Sequence, residues 1–228
     1  MLVWNPNNMY LVVDGIIGAG KTSLTEKLAT RTGWRMFREP ADPKANPFLR
    51  SSYEVLAGNE PNRGEPLHMQ LFMLNQRFRD HMKIAHAGES VIQDRSIWGD
   101  HIFAKVMVED GLITKDQYNH LYLKIFESLS QFLIPPSIIL FLKTSPETAL
   151  ERIRRRGREF ERDITLDYLT RLDETYEEWL QKMENYTTIY RLDYDTRELN
   201  GDTIDHVLDV IHRIHQSNAG KHLLKRIT

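Results

Sequence analysis

The 228-residue sequence predicts an α/β fold: a five-stranded parallel sheet flanked by helices. Three observations carry this. Short, nearly all apolar runs recur at 10–13 (YLVV), 34–37 (WRMF), 90–93 (SVIQ), 137–142 (SIILFL) and 188–192 (TIYRL). Such runs suit strands buried on both faces of a parallel sheet. Longer amphipathic stretches alternate with them, and strand–helix alternation implies βαβ crossovers. The first run leads directly into DGIIGAGKTSL (14–24), which contains G-x-x-x-x-G-K-T from Gly15 to Thr22.

Ligands of such sheets bind at the carboxyl ends of the strands, so the informative residues are expected just after each strand. After the first strand, Gly15, Ile16, Ile17, Gly18, Ala19 and Gly20 form a loop whose N–H groups can curl around phosphate oxygens. Lys21 reaches the outer phosphates, Thr22 suits Mg²⁺, and Ser23 continues into a helix. The second strand ends in Arg38-Glu39-Pro40. Glu39 is a candidate base toward an attacking hydroxyl; a solvated loop glutamate beside a turn proline is the alternative. The third ends in Asp94-Arg95-Ser96, with Asp94 as the second metal acid and Arg95 steadying an acceptor or phosphoryl oxygen. A structural Asp–Arg pair is the alternative.

Residues 151–159, ERIRRRGRE, carry more arginines than a solvated face needs. They predict a lid at about 152–162 that closes over phosphates; a basic surface stripe is the alternative. Leu166, Leu169, Leu172, Tyr176, Trp179 and Met183 mark one face of a helix. Ile204, Val207, Leu208, Ile211 and Ile214 mark another, with Asp202 or Thr203 as its cap. The basic stretch 217–228 is a tail that is disordered or packs on a partner.

One domain over 1–228 fits the length. A net charge of −2 gives no hint of a nucleic-acid or membrane partner. The absence of cysteine excludes disulfides and thiolate metal sites and fits a cytoplasmic location. The longest apolar run, FLIPPSIILFL, is too short to span a bilayer, and no signal or transit segment is read at the start. No N-K-x-D guanine-reading motif occurs. Together the base, the acid–arginine pair and the arginine lid point to a P-loop kinase of small molecules.

These pieces resemble the deoxynucleoside kinase family, in its bacterial form, over nearly the whole chain. The matching motifs are GxxGxGKT (Gly15–Thr22), Glu39-Pro40, Asp94-Arg95-Ser96, LKTSPETALERIRRRGRE and YEEWL (176–180). The resemblance implies that Glu39 is the general base toward the 5′-hydroxyl and that Arg95 partners that hydroxyl, with Asp94 near the metal. Gln70 would pair with the base, Arg77 and Asp100 would lie under it, and Phe103 would stack on it. Glu161 would bind the sugar 3′-hydroxyl with Tyr53 beside it. Arg152, Arg156 and Arg158 are implied lid arginines, Arg156 also touching ATP, and DYDTR (193–197), with Asp193 and Asp195, would cover the adenine of ATP. The stretches ADPKANPFL and GNEPNRGEP depart from animal members, the second lengthening the connection between Tyr53 and Gln70.

The resemblance implies phosphorylation of a deoxynucleoside 5′-hydroxyl by ATP·Mg²⁺ in nucleotide salvage. Purine deoxynucleosides are favoured, deoxycytidine being possible. It also implies a homodimer, with apolar stripes at 96–108 and 116–133 as compatible surfaces. A nucleoside monophosphate kinase of the thymidylate kinase type and a non-catalytic assembly subunit of the same fold are the alternatives.

Overall fold

A computed structural model of the protein describes residues 8–40, 44, 46–58, 65–195 and 201–224, without the side chains of 218–224. Its five strands are β1 (Tyr10–Asp14), β2 (Arg35–Phe37), β3 (Val91–Asp94), β4 (Ile138–Lys143) and β5 (Thr188–Asp193). They form one parallel sheet in the order β2-β3-β1-β4-β5. All five expected strands are present within a residue or two. The expectation of burial on both faces holds for β1, β3 and β4 but not for β2 and β5. Those two are the sheet edges, which accounts for the polar positions Arg35 and Arg191 within them.

Along the chain the helices are α1 (Lys21–Thr32), α2 (Leu49–Leu56), α3 (Glu65–Ala85), α4 (Asp100–Glu109) and the short α5 (Lys115–Gln117). A π-helical turn, Tyr118–Tyr122, joins α5 to α6 (Leu123–Ser130). Then come α7 (Pro146–Arg156), α8 (Leu166–Met183) and α9 (Gly201–Leu224). Local chemistry sets several ends. Ser145 caps α7 by accepting from Thr148 N–H, with Pro146 in the first turn, and Thr165 caps α8 by accepting from Tyr168 N–H. Gly157 ends α7 at φ 69°, a left-handed conformation in which its N–H bonds the Ile153 carbonyl.

The core lies on both faces of β1 and β4, where every residue from Tyr10 to Val13 and from Ile138 to Leu142 is fully buried. The expected stripe on α8 packs there, except that Leu166, the first residue of the helix, is exposed. On α9, Ile204, Val207, Leu208 and Ile211 are buried as the 3.6-residue period requires. Neither Asp202 nor Thr203 is a cap, because the helix already includes Gly201. The helix also runs on through much of the predicted tail, to Leu224. The stripe at 96–108 is not a free surface: Ile97, Ile102, Phe103, Ala104, Val106 and Met107 are all buried inside the chain. Exposed apolar side chains occur instead at Leu121, Ile125 and Phe132. Among the described residues no helix is long and apolar enough to cross a membrane.

The register levels the carboxyl ends of three strands. Val13 pairs with Asp94 and Phe37 with Gln93. The phosphate loop, the Asp94–Arg95 step and Glu39 therefore open into one crevice.

Candidate active site

A cavity of about 450 Å³ opens at those strand ends. The phosphate loop forms its floor through Ile17, Gly18, Gly20, Lys21, Thr22 and Ser23. Gly18 sits at φ +84°, and a Cβ there would lie 2.4 Å from the Ala149 carbonyl oxygen, so the loop reaches this curvature and packs on α7 only with glycine. Gly15, Ile16 and Ala19, expected to bind the nucleotide, line neither this cavity nor the one beside it, and the Ile16 and Ala19 side chains are in the core. Lys21 donates to the Gly15 and Ile16 carbonyls at 3.0 and 2.8 Å. Burial, with Arg95 nearby, pulls its ammonium down to about 8 against the opposing pull of Asp94, Glu39 and Asp14.

Asp94 and Thr22 meet beside that lysine. The Thr22 hydroxyl donates to Asp94 Oδ2 at 2.5 Å, while Asp94 Oδ1 is buried with no hydrogen-bond partner among the described residues. Burial raises the Asp94 pKa in spite of Lys21. A buried carboxylate oxygen and a hydroxyl next to a phosphate loop make a donor set suited to a hard divalent cation. Among the described residues no cluster of three acidic or histidine ligands exists, so most of such an ion's shell would come from phosphates and water.

Glu39 hangs over this floor, held by two arginines. Arg77 Nη2 donates to its Oε1 at 2.5 Å, and Arg95 Nε lies 3.1 Å from the same oxygen. Burial alone would raise its pKa; Arg95, Arg77 and Lys21 overrule it and depress the carboxyl to about 2. Arg95 has a positive φ of 63°, and its N–H bonds the Val13 carbonyl at 3.0 Å. Its guanidinium lies 4.5 Å over the Phe103 ring and donates to the Tyr176 hydroxyl. That hydroxyl donates in turn to Asp14 Oδ1 at 2.8 Å, the last residue of β1. Burial and Asp14 keep Tyr176 protonated, so its one proton goes to Asp14 and its lone pairs face Arg95. The sequence pattern placed Tyr176 on a helix face and nothing more; the reading missed this role.

The far wall is built from α2 and α3. Gln70 and Arg77, two turns apart on α3, both line the cavity, with Met69, Met73 and Leu49 around them. Gln70 Nε2 points to the sulfur of Met107 at 3.3 Å, and Arg77 Nη1 donates to Asp100 Oδ1. Asp100 corrects an expectation: it does not line the cavity but backs Arg77, which does. It is therefore placed to act on a base through the arginine rather than beneath the base itself. Phe103 lines the wall but offers one face to Arg95.

Tyr53 and Phe160 pack ring to ring at 5.6 Å and close the cavity toward the lid. Glu161, nearly fully buried, accepts from Arg156 Nη2 at 2.5 Å and Arg156 Nε at 3.1 Å on Oε2, and from Arg158 at 3.2 Å on Oε1. Arg156 and Arg158 thus line the cavity as expected. Arg152 does not. Its guanidinium donates to the Ala19, Tyr194 and Asp195 carbonyls, tying the phosphate loop to the segment after β5. That makes it a staple in this structure, in place of the expected catalytic contact.

A second cavity, about 360 Å³, shares Gly18, Gly20, Ser23 and Arg156 with the first and adds Arg152, Arg155 and Tyr194. Asp193 and Asp195, expected to line it, do not. Asp195 Oδ1 accepts from Ser145 N–H at 2.7 Å, and Asp193 Oδ1 accepts from Asp195 N–H at 3.3 Å. Tyr194 between them faces the cavity, with Arg152 5.3 Å over its ring. Thr196 and Arg197 of that segment, and residues 59–64 of the long connection, lie outside the described residues.

Two adjoining cavities, with the phosphate loop and Arg156 shared between them, suit a phosphoryl donor on one side and an acceptor on the other. The sequence profile described as deoxynucleoside kinase matches residues 11–216. A deoxyadenosine kinase of Dictyostelium discoideum is 35% identical over 186 residues, covering 81% of this chain and 72% of that one. A deoxyadenosine/deoxycytidine kinase of Bacillus subtilis (strain 168) is 31% identical over 221 residues, 95% of this chain and 97% of the relative. The solved structure of deoxyadenosine kinase from M. mycoides with bound dATP superimposes with a TM-score of 0.75 at 27% identity, covering 90% of this chain and 100% of that one. The same enzyme with products dCMP and a flexible dCDP gives a TM-score of 0.77, again at 27% identity and with the same coverage.

Proposed function

This chain belongs to the deoxynucleoside kinase family, a family of ATP-dependent phosphotransferases, and from that premise we propose that it phosphorylates the 5′-hydroxyl of a purine deoxynucleoside, for nucleotide salvage. The observation that carries the chemistry is Glu39: an ionised carboxylate, gripped by Arg77 and Arg95, that lines the same cavity as Lys21. A carboxylate there suits an alcohol acceptor. It would repel the phosphate of a nucleotide acceptor, so a nucleoside monophosphate kinase is disfavoured. A non-catalytic subunit is disfavoured because Lys21, Glu39, Asp94 and the lid arginines are all in place.

In this reading the acceptor's base lies against Gln70 and Arg77, and its sugar against Tyr53 and Glu161. Its 5′-oxygen lies between Glu39 and Arg95. Glu39 orients the 5′-hydroxyl and receives its proton as the oxygen attacks phosphorus. Lys21, Arg95, Arg156 and Arg158 supply positive charge to the equatorial oxygens, because phosphoryl transfer asks mainly for positioning and charge stabilisation. Thr22 and Asp94 would hold Mg²⁺, which supplies further neutralisation of phosphate charge. Asp94→Asn is expected to raise the Mg²⁺ concentration needed for half-maximal rate by about tenfold or more, since a ligating oxygen is lost. A magnesium titration at saturating substrates reads this, and an unchanged midpoint would count against Asp94 as a ligand.

Gln70 and Arg77 support purine preference: an amide presents both donor and acceptor to a purine edge, and a guanidinium donates to its ring nitrogens or carbonyl. The named relatives, which act on deoxyadenosine, with or without deoxycytidine, support the same choice. A panel of four deoxynucleosides with ATP is expected to give the highest kcat/KM with deoxyadenosine or deoxyguanosine. A preference for thymidine with no purine turnover contradicts it. Leu121, Ile125 and Phe132, exposed on α6 and on the turns that flank it, support a homodimer through that surface, which light scattering tests. A site without nucleic acid, in the cytoplasm, accords with the net charge of −2 and with lid arginines engaged by Glu161 and backbone carbonyls.

A further inference from the structure

The two polar side chains that line the acceptor cavity on α3, Gln70 and Arg77, are each held from behind by a residue of α4. Gln70 meets Met107 and Arg77 meets Asp100, so the two helices run antiparallel along this seam. The Arg77–Asp100 contact has a third member. The Tyr122 hydroxyl donates to Asp100 Oδ2 at 2.5 Å, so each carboxylate oxygen has its own donor. Both Asp100 and Tyr122 are fully buried, and neither lines the cavity. Tyr122 stands at the end of the π-helical turn Tyr118–Tyr122, with the Tyr118 ring stacked on it at 5.7 Å and 10°. A π turn rotates the side chains that follow it relative to an α-helix, and such turns recur at functional sites.

The consequence runs through Arg77. With Asp100 Oδ2 occupied by Tyr122, Asp100 takes only Nη1 of the guanidinium, and Nη2 is left for Glu39 and the cavity. Without the tyrosine hydroxyl, Oδ2 would be a buried acceptor with no donor, a costly state. The nearest remedy is an end-on fork, in which Asp100 takes both terminal nitrogens of Arg77. That would turn the guanidinium and withdraw Nη2 from Glu39.

We propose that Tyr122 is a specificity-determining positioning residue: by holding Asp100 it fixes the angle at which Arg77 faces the base of the deoxynucleoside. The inference rests on the deoxynucleoside kinase reading and names a residue that the sequence did not single out. Tyr122→Phe is the test, with kcat/KM measured for deoxyadenosine, deoxyguanosine and deoxycytidine and KM for ATP alongside. The expected result is a change of about fivefold or more in the ratio between at least two nucleosides, the scale of one hydrogen bond redirected at a polar reading site. The KM for ATP should stay within about twofold, because Tyr122 lines neither cavity. In an Asp100→Asn background the same substitution should add no further shift. A uniform fall for all nucleosides, unchanged ratios, or an equal shift from Tyr118→Phe overturns the proposal. If Tyr122→Phe does not fold, Tyr122→Met, which also lacks the donor, carries the same expectation. Wild-type protein inactive on every deoxynucleoside would instead overturn the functional reading itself, so the two failures are distinct.

Discussion

Replacing Glu39 with glutamine is expected to lower kcat by about two to four orders of magnitude, the range for loss of a positioned acid–base group. The dissociation constant for the deoxynucleoside should change little. Glu39 shares one oxygen between Arg77 and Arg95, which leaves the other free for the acceptor hydroxyl. The arginines depress its pKa from 4.5 to about 2, so the free enzyme carries the carboxylate throughout the neutral range. A group with so low a pKa is a weak proton acceptor, and its contribution is chiefly to orient the hydroxyl and to take its proton late, once bonding to phosphorus has made that hydroxyl acidic. The pH profile follows. Because kcat/KM reports the free enzyme, no acid limb from Glu39 is expected above about pH 4. An alkaline limb is expected near 8, where Lys21 loses its charge. The depressed carboxyl also stabilises the fold: its contribution is full above about pH 4.5 and is lost as pH falls toward 2. Single-turnover rates, nucleoside binding by calorimetry and a pH series check these points. A glutamine variant with wild-type kcat would remove Glu39 from the chemistry.

What the sequence made legible follows from what periodicity and spacing encode. All five strands were marked by apolar runs, because a parallel sheet buries both faces of its inner strands; the edge strands β2 and β5 were overread for the same reason. Residues at strand ends, in the loops that leave them or at the start of the next helix, Lys21, Glu39, Asp94 and Arg95, were placed in one crevice because topology alone puts strand ends together. Partners were harder. Tyr176 was visible as part of the α8 stripe, but its contact with Asp14 joins residues 162 apart, and no local pattern reports that. Tyr122 was hidden by the π turn, which breaks the 3.6-residue count used to place faces. At the end of β5 the expected residues were Asp193 and Asp195, whereas Tyr194 faces the cavity. Successive residues of an extended chain point to opposite sides, so a one-residue choice decides which of them meets the ligand. Arg152 belongs to an arginine-dense stretch, but its position on α7 brings it over the carbonyls of Tyr194 and Asp195.

Arg95→Met is expected to destabilise the protein by about 3–5 kcal/mol, the cost of leaving a buried charge without its partner, and to lower kcat by about two to three orders of magnitude. The first effect comes from what Arg95 holds below the cavity. Asp14 is fully buried, Arg95 Nη1 lies 3.7 Å from its Oδ1, and among the described residues its Oδ2 already lacks a donor. Methionine would leave that carboxylate with only the Tyr176 hydroxyl and the Gly15 N–H, and would leave Tyr176 without its donor. The second effect comes from what Arg95 does above it, at the Glu39 oxygen and the acceptor site. Arg95→Lys separates the two. A lysine keeps the charge but is a single point donor, so it cannot span Tyr176 and Glu39 while lying flat on the Phe103 ring. It should recover part of the stability and little of the rate. Denaturant unfolding and single-turnover kinetics at saturating substrates read the two effects independently. If stability falls while the single-turnover rate does not, Arg95 is a strut beneath the phosphate loop, and the charge on the transferring group must be met by Lys21 and the lid arginines alone.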